Sequence, residues 1–313
     1  MILGIDTSCY TTSMILVDAG SSEIQFEKNV LLKVKEGSKG LRQSDGFFQH
    51  VHQLADSFEA LTAIFDVEKI VAIAVSTRPR NVEGSYMPVF GAGYLFAKNL
   101  SNSLKIPLYE VSHQEGHLMA ALATSGINSF PDRFYGLHLS GGTTECLVVD
   151  YQDMKFHVQL IGETLDLNFG QLIDRIGVKM GFAFPAGKAL DELASKSDCQ
   201  SYKPVKVDKM TFNISGLENY FSAKIGKEPN EDIAKEMFNT VGKILVKWTK
   251  QFVEPIPVII SGGVASNSII RQMLTKTRSE LYFAKPDYAR DNAYGVALLG
   301  AGQFVRGKGG KSC

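Results

Sequence analysis

The sequence predicts a two-lobed α/β protein. Three observations carry this expectation. Strands and helices alternate along the chain, the same Thr-Thr hairpin signature opens each half, and 313 residues exceed what one core normally holds.

Residues 2–5 and 13–17 are short apolar runs joined by a Ser- and Thr-rich turn, which predicts a β-hairpin. A third strand is expected near 24–34. Over 48–65 the apolar positions Phe48, Val51, Leu54, Ala55, Phe58, Leu61 and Ile64 recur at helical spacing. Residues 70–75 form a continuous apolar run, the mark of a strand buried on both faces. A helix is predicted over 89–104, after Pro88 and before Ile106-Pro107. A short strand at 108–111 and a helix over 113–123 complete the first half.

The pattern then restarts. Residues 137–140 and 146–149 flank Gly141-Gly142-Thr143-Thr144 as a second strand–turn–strand. The first hairpin reads Thr11-Thr12-Ser13-Met14-Ile15-Leu16-Val17-Asp18, and the second reads Thr143-Thr144-Glu145-Cys146-Leu147-Val148-Val149-Asp150. Each is Thr-Thr, five residues, Asp, and its place at the start of each half favours internal duplication over chance. Helices are expected near 168–181, 187–196 and 229–252. A strand at 257–260 runs into Ser261-Gly262-Gly263, followed by a helix from about 266 and a terminal helix over 292–305. The lobes are read as 1–133, with the terminal helix packing back on it, and 134–291, facing each other across a cleft.

Composition narrows the class. Apolar residues make up 44% and charged residues 21%, ordinary for a globular protein. Lys+Arg and Asp+Glu are both 33, so net charge is zero. A non-specific nucleic-acid coat needs a basic excess and is excluded, while a local basic patch is not. Cys9, Cys146, Cys199 and Cys313 form no Cys-x-x-Cys pair, which excludes a zinc ribbon and a thioredoxin-like motif and predicts free thiols. No apolar run reaches the roughly 18–20 residues of a membrane span, and Met1-Ile2-Leu3-Gly4-Ile5 lacks the basic start of a secretory leader. The expectation is a cytoplasmic protein with no membrane partner. The Gly/Lys-rich tail at 306–313 is expected to fray.

Three turns draw attention: Thr7-Ser8, Ser140-Gly141-Gly142 and Ser261-Gly262-Gly263. A glycine turn lets backbone N–H groups approach a phosphate closely, and a helix N-terminus adds a favourable dipole. Asn267 lies where it caps the following helix or touches a ribose or base. Plain tight turns are the alternative for any one of them. Together they suit two phosphate-binding hairpins plus an adenosine-binding turn.

His113-Gln114-Glu115-Gly116-His117 places two imidazoles four apart, on one helix face, where they can share a metal ion. Two ordinary surface histidines are the alternative. A third ligand must come from elsewhere, and Asp291 beside Asn292 is a candidate, unless it merely caps the last helix. His50 and His52 are expected on the surface. His138 either faces the cleft or packs within its sheet. Asp166, Asp174 and Asp191, the last in the helix opened by Gly187, are candidates to accept from substrate hydroxyls or to cap helices.

In order, these blocks resemble the TsaD/Kae/Qri family, long labelled glycoproteases, over essentially the whole chain. The matching blocks are Gly-Ile-Asp-Thr-Ser-Cys at 4–9, His-Gln-Glu-Gly-His at 113–117 and Leu-Ser-Gly-Gly-Thr-Thr at 139–144. Gly-Glu-Thr-Leu-Asp at 162–166, Phe-Asn-Ile-Ser-Gly-Leu at 212–217, Ser-Gly-Gly-Val-Ala-Ser-Asn at 261–267 and Asp291-Asn292 follow. The resemblance implies an actin-like ATPase fold of the sugar kinase/Hsp70/actin type, with two ribonuclease-H-like lobes. It implies one divalent metal, iron or zinc, on His113, His117 and Asp291. It implies an adenine nucleotide, ATP, AMP or threonylcarbamoyl-adenylate, on His138, Leu139, Ser140, Gly141, Gly142, Asp174, Gly187, Asp191, Gly262, Gly263 and Asn267. The implied reaction passes a threonylcarbamoyl group to N6 of the adenosine beside the tRNA anticodon. Related subunits of a threonylcarbamoylation complex, or a second copy of the chain, are the implied protein partners.

The chain departs from the family pattern in places. Tyr10-Thr11-Thr12 stands for an acidic Asp-Glu-Thr, Arg78-Pro79-Arg80 for Gly-Pro-Gly, Thr143 for a histidine, and Leu167 for the second of two aspartates. These departures describe a divergent paralogue. The alternative expectation is therefore a nucleotide- and metal-binding scaffold subunit, or an enzyme that carbamoylates another acceptor. A metalloprotease of the His-Glu-x-x-His kind would need its glutamate where Gln114 stands.

Overall fold

The computed structural model describes residues 1–8, 10–34, 41–278 and 280–309. The chain forms two compact units. The first holds Met1–Ala123, Gln152–Phe156 and the chain from Asp291 onward, and the second holds Thr124–Tyr151 and His157–Arg290.

In the first unit, β1 (Ile2–Thr7), β2 (Thr11–Val17), β3 (Ile24–Leu31), β4 (Ala72–Arg78) and β5 (Leu108–Ser112) form one sheet in the order β3-β2-β1-β4-β5. β1 runs antiparallel to β2, from Ile2 opposite Val17 to Thr7 opposite Thr12. It runs parallel to β4, and β4 runs parallel to β5. Every residue of β1 and β2 is buried. Alternation sends Leu3, Ile5, Met14 and Leu16 into a core shared with α1 (Gln43–Thr62) and α2 (Phe90–Leu104). Ile2, Ile15 and Val17 point the other way, to Ala293, Ala297 and Ala301 on α9 (Tyr294–Gly309) and the residue before it.

The second unit repeats this plan. Its strands are β6 (Arg133–Leu139), β7 (Thr144–Gln152), β8 (Lys155–Thr164), β9 (Thr211–Phe212), β10 (Val258–Ser261) and β11 (Leu281–Phe283), ordered β11-β10-β6-β7-β8-β9. Read from the other edge, β8-β7-β6-β10-β11 matches β3-β2-β1-β4-β5. The orientations agree where both are given: β6 is antiparallel to β7 and parallel to β10, and β10 is parallel to β11. The hairpin ladders end at Thr7–Thr12 and Leu139–Thr144, so the same number of residues separates the last pair in each. The duplication suggested by the Thr-Thr signature thus extends to topology and register. It sets Thr12 against Thr144, and Asp6 against His138.

Helices α4 (Phe169–Lys179), α5 (Gly187–Ala194), α6 (Ser215–Ser222), α7 (Asn230–Thr249) and α8 (Ser268–Thr275) enclose the second core. Phe169, Phe212, Phe221, Phe238 and Trp248 fill it. α7 is well signposted, with Pro229 just ahead, Glu231 and Asp232 in its first turn and Lys247 in its last, all matched to the helix dipole.

The elements expected from periodicity are present, with ends shifted by a few residues. Four were not expected: β8, β9, α6 and β11. β8 carries polar/apolar alternation over residues 155–160, a strand signal present in the sequence, while β9 and β11 span two and three residues and α6 buries only Leu217 and Phe221. The terminal helix corrects another expectation. α9 continues through residues 306–309, where the sequence predicts fraying, and 310–313 lie outside the described residues. Cys146 and Cys199 are free thiols, while Cys9 and Cys313 lie outside the described residues. Among the described residues, no helix is long and apolar enough to cross a membrane.

α3 (His113–Thr124) meets α9 at a glycine pair. A Cβ on Gly295 would sit 1.9 Å from the Gly116 carbonyl oxygen and 2.7 Å from the Ala120 nitrogen. The two backbones touch, and no side chain fits between them. Gly295→Ala is expected to lower stability by about 1–3 kcal/mol in urea titration, because neither helix can give way without shifting the other. Gly216→Ala, whose Cβ would meet open space on α6, is expected to raise it by about 0.5–1 kcal/mol through helix propensity. Equal effects of the two substitutions would contradict the close helix contact.

Candidate metal centre and glycine turns

α3 starts where it does because of a capping box. The Ser112 N–H and hydroxyl both donate to Glu115 Oε2 at 2.7 Å, and the Glu115 N–H donates to Ser112 Oγ at 3.2 Å. The Gln114 N–H donates to the Pro79 carbonyl at 3.0 Å, and Asn81 Nδ2 donates to Glu115 Oε1 at 3.4 Å. The helix is therefore fixed to begin at His113, with His117 one turn on. Sequence spacing alone presents Glu115 as a spacer between the histidines. The Ser-x-x-Glu pattern at 112–115 was the available signal for its capping role.

The structure brings His113, His117 and Asp291 together. The two Nε2 atoms lie 3.0 Å apart, and Asp291 Oδ1 lies 3.4 Å from that of His113 and 3.3 Å from that of His117. Asp291 does not cap α9. The oxygen accepting from the Tyr294 N–H, at 3.0 Å, belongs to Asn292, while the Ala293 N–H donates to Ser13 Oγ at 2.8 Å. The Asn292 bond caps the start of α9, the Ser13 bond holds it on β2, and the Asp291 carboxylate is left turned to the imidazoles. Two imidazole nitrogens and one carboxylate oxygen converging this closely suit a divalent metal such as zinc or iron. Among the described residues, no other such group forms.

The electrostatics follow from burial and these contacts. Burial works against a charge on His113, yet the Asp6 carboxylate and Asp291 hold it up to about 10. Burial and the neighbouring His113 push His117 down. Burial raises Asp291, but its bonds to His113 and His117 win and hold it well below the usual carboxylate range. Asp6 is fully buried, accepts from Ser76 Oγ, and sits with Oδ1 3.0 Å from His113 Nδ1. In the sequence Asp6 is visible only as part of the first block.

His50 corrects an expectation. It is fully buried, not on the surface, with Nδ1 2.7 Å from Thr12 Oγ1 and Nε2 2.8 Å from the Ser8 carbonyl. It ties α1 to both sides of the first hairpin turn, and burial pushes its pKa down. His52 is exposed, as expected.

The remaining candidates lie in the second unit. His138 and Leu139 are buried near the end of β6, with His138 opposite Glu145 in the ladder. The Ser140 N–H closes the turn on the Thr143 carbonyl at 2.8 Å, and Gly141 and Gly142 are exposed. The start of α4 sits on this turn. Asn168 Nδ2 donates to the Gly142 carbonyl at 2.9 Å, and a Cβ on Gly170 would lie 2.5 Å from Gly141 Cα. Gly262 has φ of 92°, and its Cβ would lie 2.2 Å from the Leu139 carbonyl oxygen, so only glycine fits there. The turn after β10 is thereby stacked against the end of β6, and Gly263 beside it opens to free space.

The carboxylates take up helix-holding positions. Asp191 accepts from Asn267 Nδ2 at 2.8 Å and from the Ser268 N–H and hydroxyl at 3.0 and 2.8 Å. Asn267 Oδ1 in turn caps α8 by accepting from the Ile270 N–H at 3.0 Å. Asp166 accepts from the Ile214 and Ser215 N–H groups at the start of α6. Asp174 accepts from the Ala186 N–H at 2.8 Å, just before Gly187 opens α5. The capping reading therefore accounts for Asp166 and Asp191. Asp174, Gly187, Asp191 and Asn267 form two linked pairs, Asp174 with the α5 start and Asp191 with Asn267.

Residues 47–298 match the family model described as tRNA N6-adenosine threonylcarbamoyltransferase. A protein of that name from Caldicellulosiruptor saccharolyticus is 31% identical over 328 residues, covering 98% of this chain and 94% of its own. Among solved structures, HypF from T. kodakarensis aligns with a TM-score of 0.60 at 14% identity, over 98% of this chain and 48% of that one. The activator of 2-hydroxyisocaproyl-CoA dehydratase from Clostridium difficile aligns with a TM-score of 0.58 at 13% identity, over 100% of this chain and 98% of that one. These likenesses show the fold, which is that of the actin-like ATPases.

Asp174 gives a pH test in the second unit. Burial raises its carboxyl from 3.8 to about 6. A raised carboxyl pKa means the native state holds the proton more tightly than the unfolded chain. The contribution therefore favours folding below about pH 4 and is lost as pH rises to about 6. Asp174→Asn keeps an oxygen for the Ala186 N–H but cannot ionise. Relative to the parent chain it is expected to gain up to about 3 kcal/mol between about pH 4 and pH 7, read by urea denaturation. A stability difference that stays flat with pH would contradict this.

Proposed function

The chain belongs to the tRNA N6-adenosine threonylcarbamoyltransferase (TsaD) family, and from that membership we propose that it transfers a threonylcarbamoyl group from threonylcarbamoyl-adenylate to N6 of the adenosine beside the tRNA anticodon. The observation that carries the reading is the convergence of His113, His117 and Asp291 on one point. These three side chains would hold a divalent metal, iron or zinc. When bound, such an ion supplies Lewis-acid polarisation of a carbonyl oxygen.

The glycine turns serve the nucleotide in this proposal. The exposed backbone of Gly141 and Gly142, with Gly263, offers N–H groups to the adenylate phosphate, Ser140 and Gly262 shape the two turns, and the start of α4 on the first turn adds its dipole. His138 and Leu139 fix the strand end that carries the first turn. Asp174, Gly187, Asp191 and Asn267 flank the adenosine, with Asn267 oriented by its bond to Asp191.

The chemistry is an acyl transfer. The N6 amine of the tRNA adenosine attacks the carbamoyl carbon. The bond from that carbon to the phosphoryl oxygen breaks, AMP leaves with the electron pair, and N6 gives up a proton. The departures Tyr10, Thr11 and Thr143 leave no carboxylate or imidazole at those positions, so the proton goes to another group or to solvent.

The purified chain, supplied with threonylcarbamoyl-adenylate and unmodified tRNA, is expected to form threonylcarbamoyladenosine, detected by mass spectrometry of the digested tRNA. His113→Ala, His117→Ala and Asp291→Ala are each expected to lower the rate by about a hundredfold or more, equivalent to about 3 kcal/mol of transition-state stabilisation. No product from the parent chain, or equal rates from all four proteins, would sink the proposal.

A further inference from the structure

We propose that Asp6 is a positioning residue for the metal centre, fixing the His113 ring so that Nε2 faces the point shared with His117 and Asp291; this rests on the metal reading above. An imidazole that gives its Nε2 lone pair to a metal must carry its proton on Nδ1, and that N–H needs an acceptor. Asp6 Oδ1 lies 3.0 Å from His113 Nδ1, while Nε2 of the same ring lies 3.4 Å from Asp291 Oδ1 and 3.0 Å from His117 Nε2. The two ring nitrogens are thus assigned to two different jobs. Ser76 Oγ donates to the same Asp6 oxygen, which ties the carboxylate to β4. Phe90 closes on the His113 ring, with centroids 6.0 Å apart.

Two observations set this apart from a purely structural carboxylate. Asp6 is fully buried in β1, and its Oδ2 has no hydrogen-bond partner among the described residues. A buried polar atom left unsatisfied costs about 1–3 kcal/mol or more, so folding alone gives no reason to keep an acid there. The second hairpin gives the internal comparison. Its equivalent ladder position is His138, and that hairpin forms with the same register and turn length. The hairpin does not require an aspartate at this place. The aspartate accompanies the unit that carries His113.

The test is metal affinity, measured on the full chain stripped of metal by competition for zinc(II) with a chromogenic chelator. Asp6→Ala is expected to bind zinc about 10–100-fold more weakly. Asp6→Asn, which keeps the size and an oxygen but not the charge, is expected to fall about tenfold and serves if the alanine variant does not fold. Cobalt(II) loading supplies a second readout. The visible d–d bands of the Asp6→Asn protein are expected to shift from those of the parent, which a change in folding stability alone would not produce. Asp6 variants within twofold of parent affinity and with parent spectra would overturn the inference. If they hold zinc normally while His117→Ala loses it, the metal reading stands and only the role of Asp6 falls. If the parent chain takes up no zinc and no cobalt, both fall together.

Discussion

The contact between α3 and α9 at Gly116 and Gly295 is the constraint on which the candidate centre depends. His117 and Asp291 are 174 residues apart in sequence, and their meeting requires two helices from opposite ends of the first unit to touch backbone to backbone. A side chain at Gly295 would run into the α3 backbone, 1.9 Å from the Gly116 carbonyl oxygen. The capping box at Ser112 and Glu115 then sets where α3 begins, and Asn292 with Ser13 sets where α9 begins. Each device fixes one end of the geometry. Together they aim two imidazoles and one carboxylate at a common point without any long flexible side chain.

The duplicated sheet carries a different turn in each unit. Both units present a hairpin of antiparallel strands whose ladders end at matching positions. In the second unit the turn remains glycine-rich and open, and α4 starts directly on it. In the first unit the equivalent turn carries no glycine and is held from behind by His50. The polar group at the penultimate ladder position differs as well, Asp6 in one and His138 in the other. One scaffold therefore carries an open glycine turn in one unit and a cluster of two histidines and an aspartate in the other, with the strand order unchanged.

Much of this was legible in the sequence because burial was strong and periodic. β1, β2 and β4 are buried on both faces and read as continuous apolar runs, while α1 and α2 show helical spacing. The His113/His117 pair was legible because helix geometry alone places i and i+4 on one face. Asp291 could be nominated from the family resemblance but not from spacing, since tertiary packing across the glycine pair decides its position. Asp6 and His50 were missed for the same reason: a strand aspartate and a helix histidine show their partners only after the sheet and α1 meet. α6 was missed because only Leu217 and Phe221 of it are buried, whereas the alternation of β8 over residues 155–160 was there to be read.

The most direct measurement is anomalous diffraction from crystals of the chain loaded with zinc or iron, collected at the metal's absorption edge. One peak per chain is predicted, within about 2.0–2.2 Å of Nε2 of His113, Nε2 of His117 and an oxygen of Asp291. A metal-loaded crystal with its peak elsewhere, or with no ordered peak near these three side chains, would contradict the account.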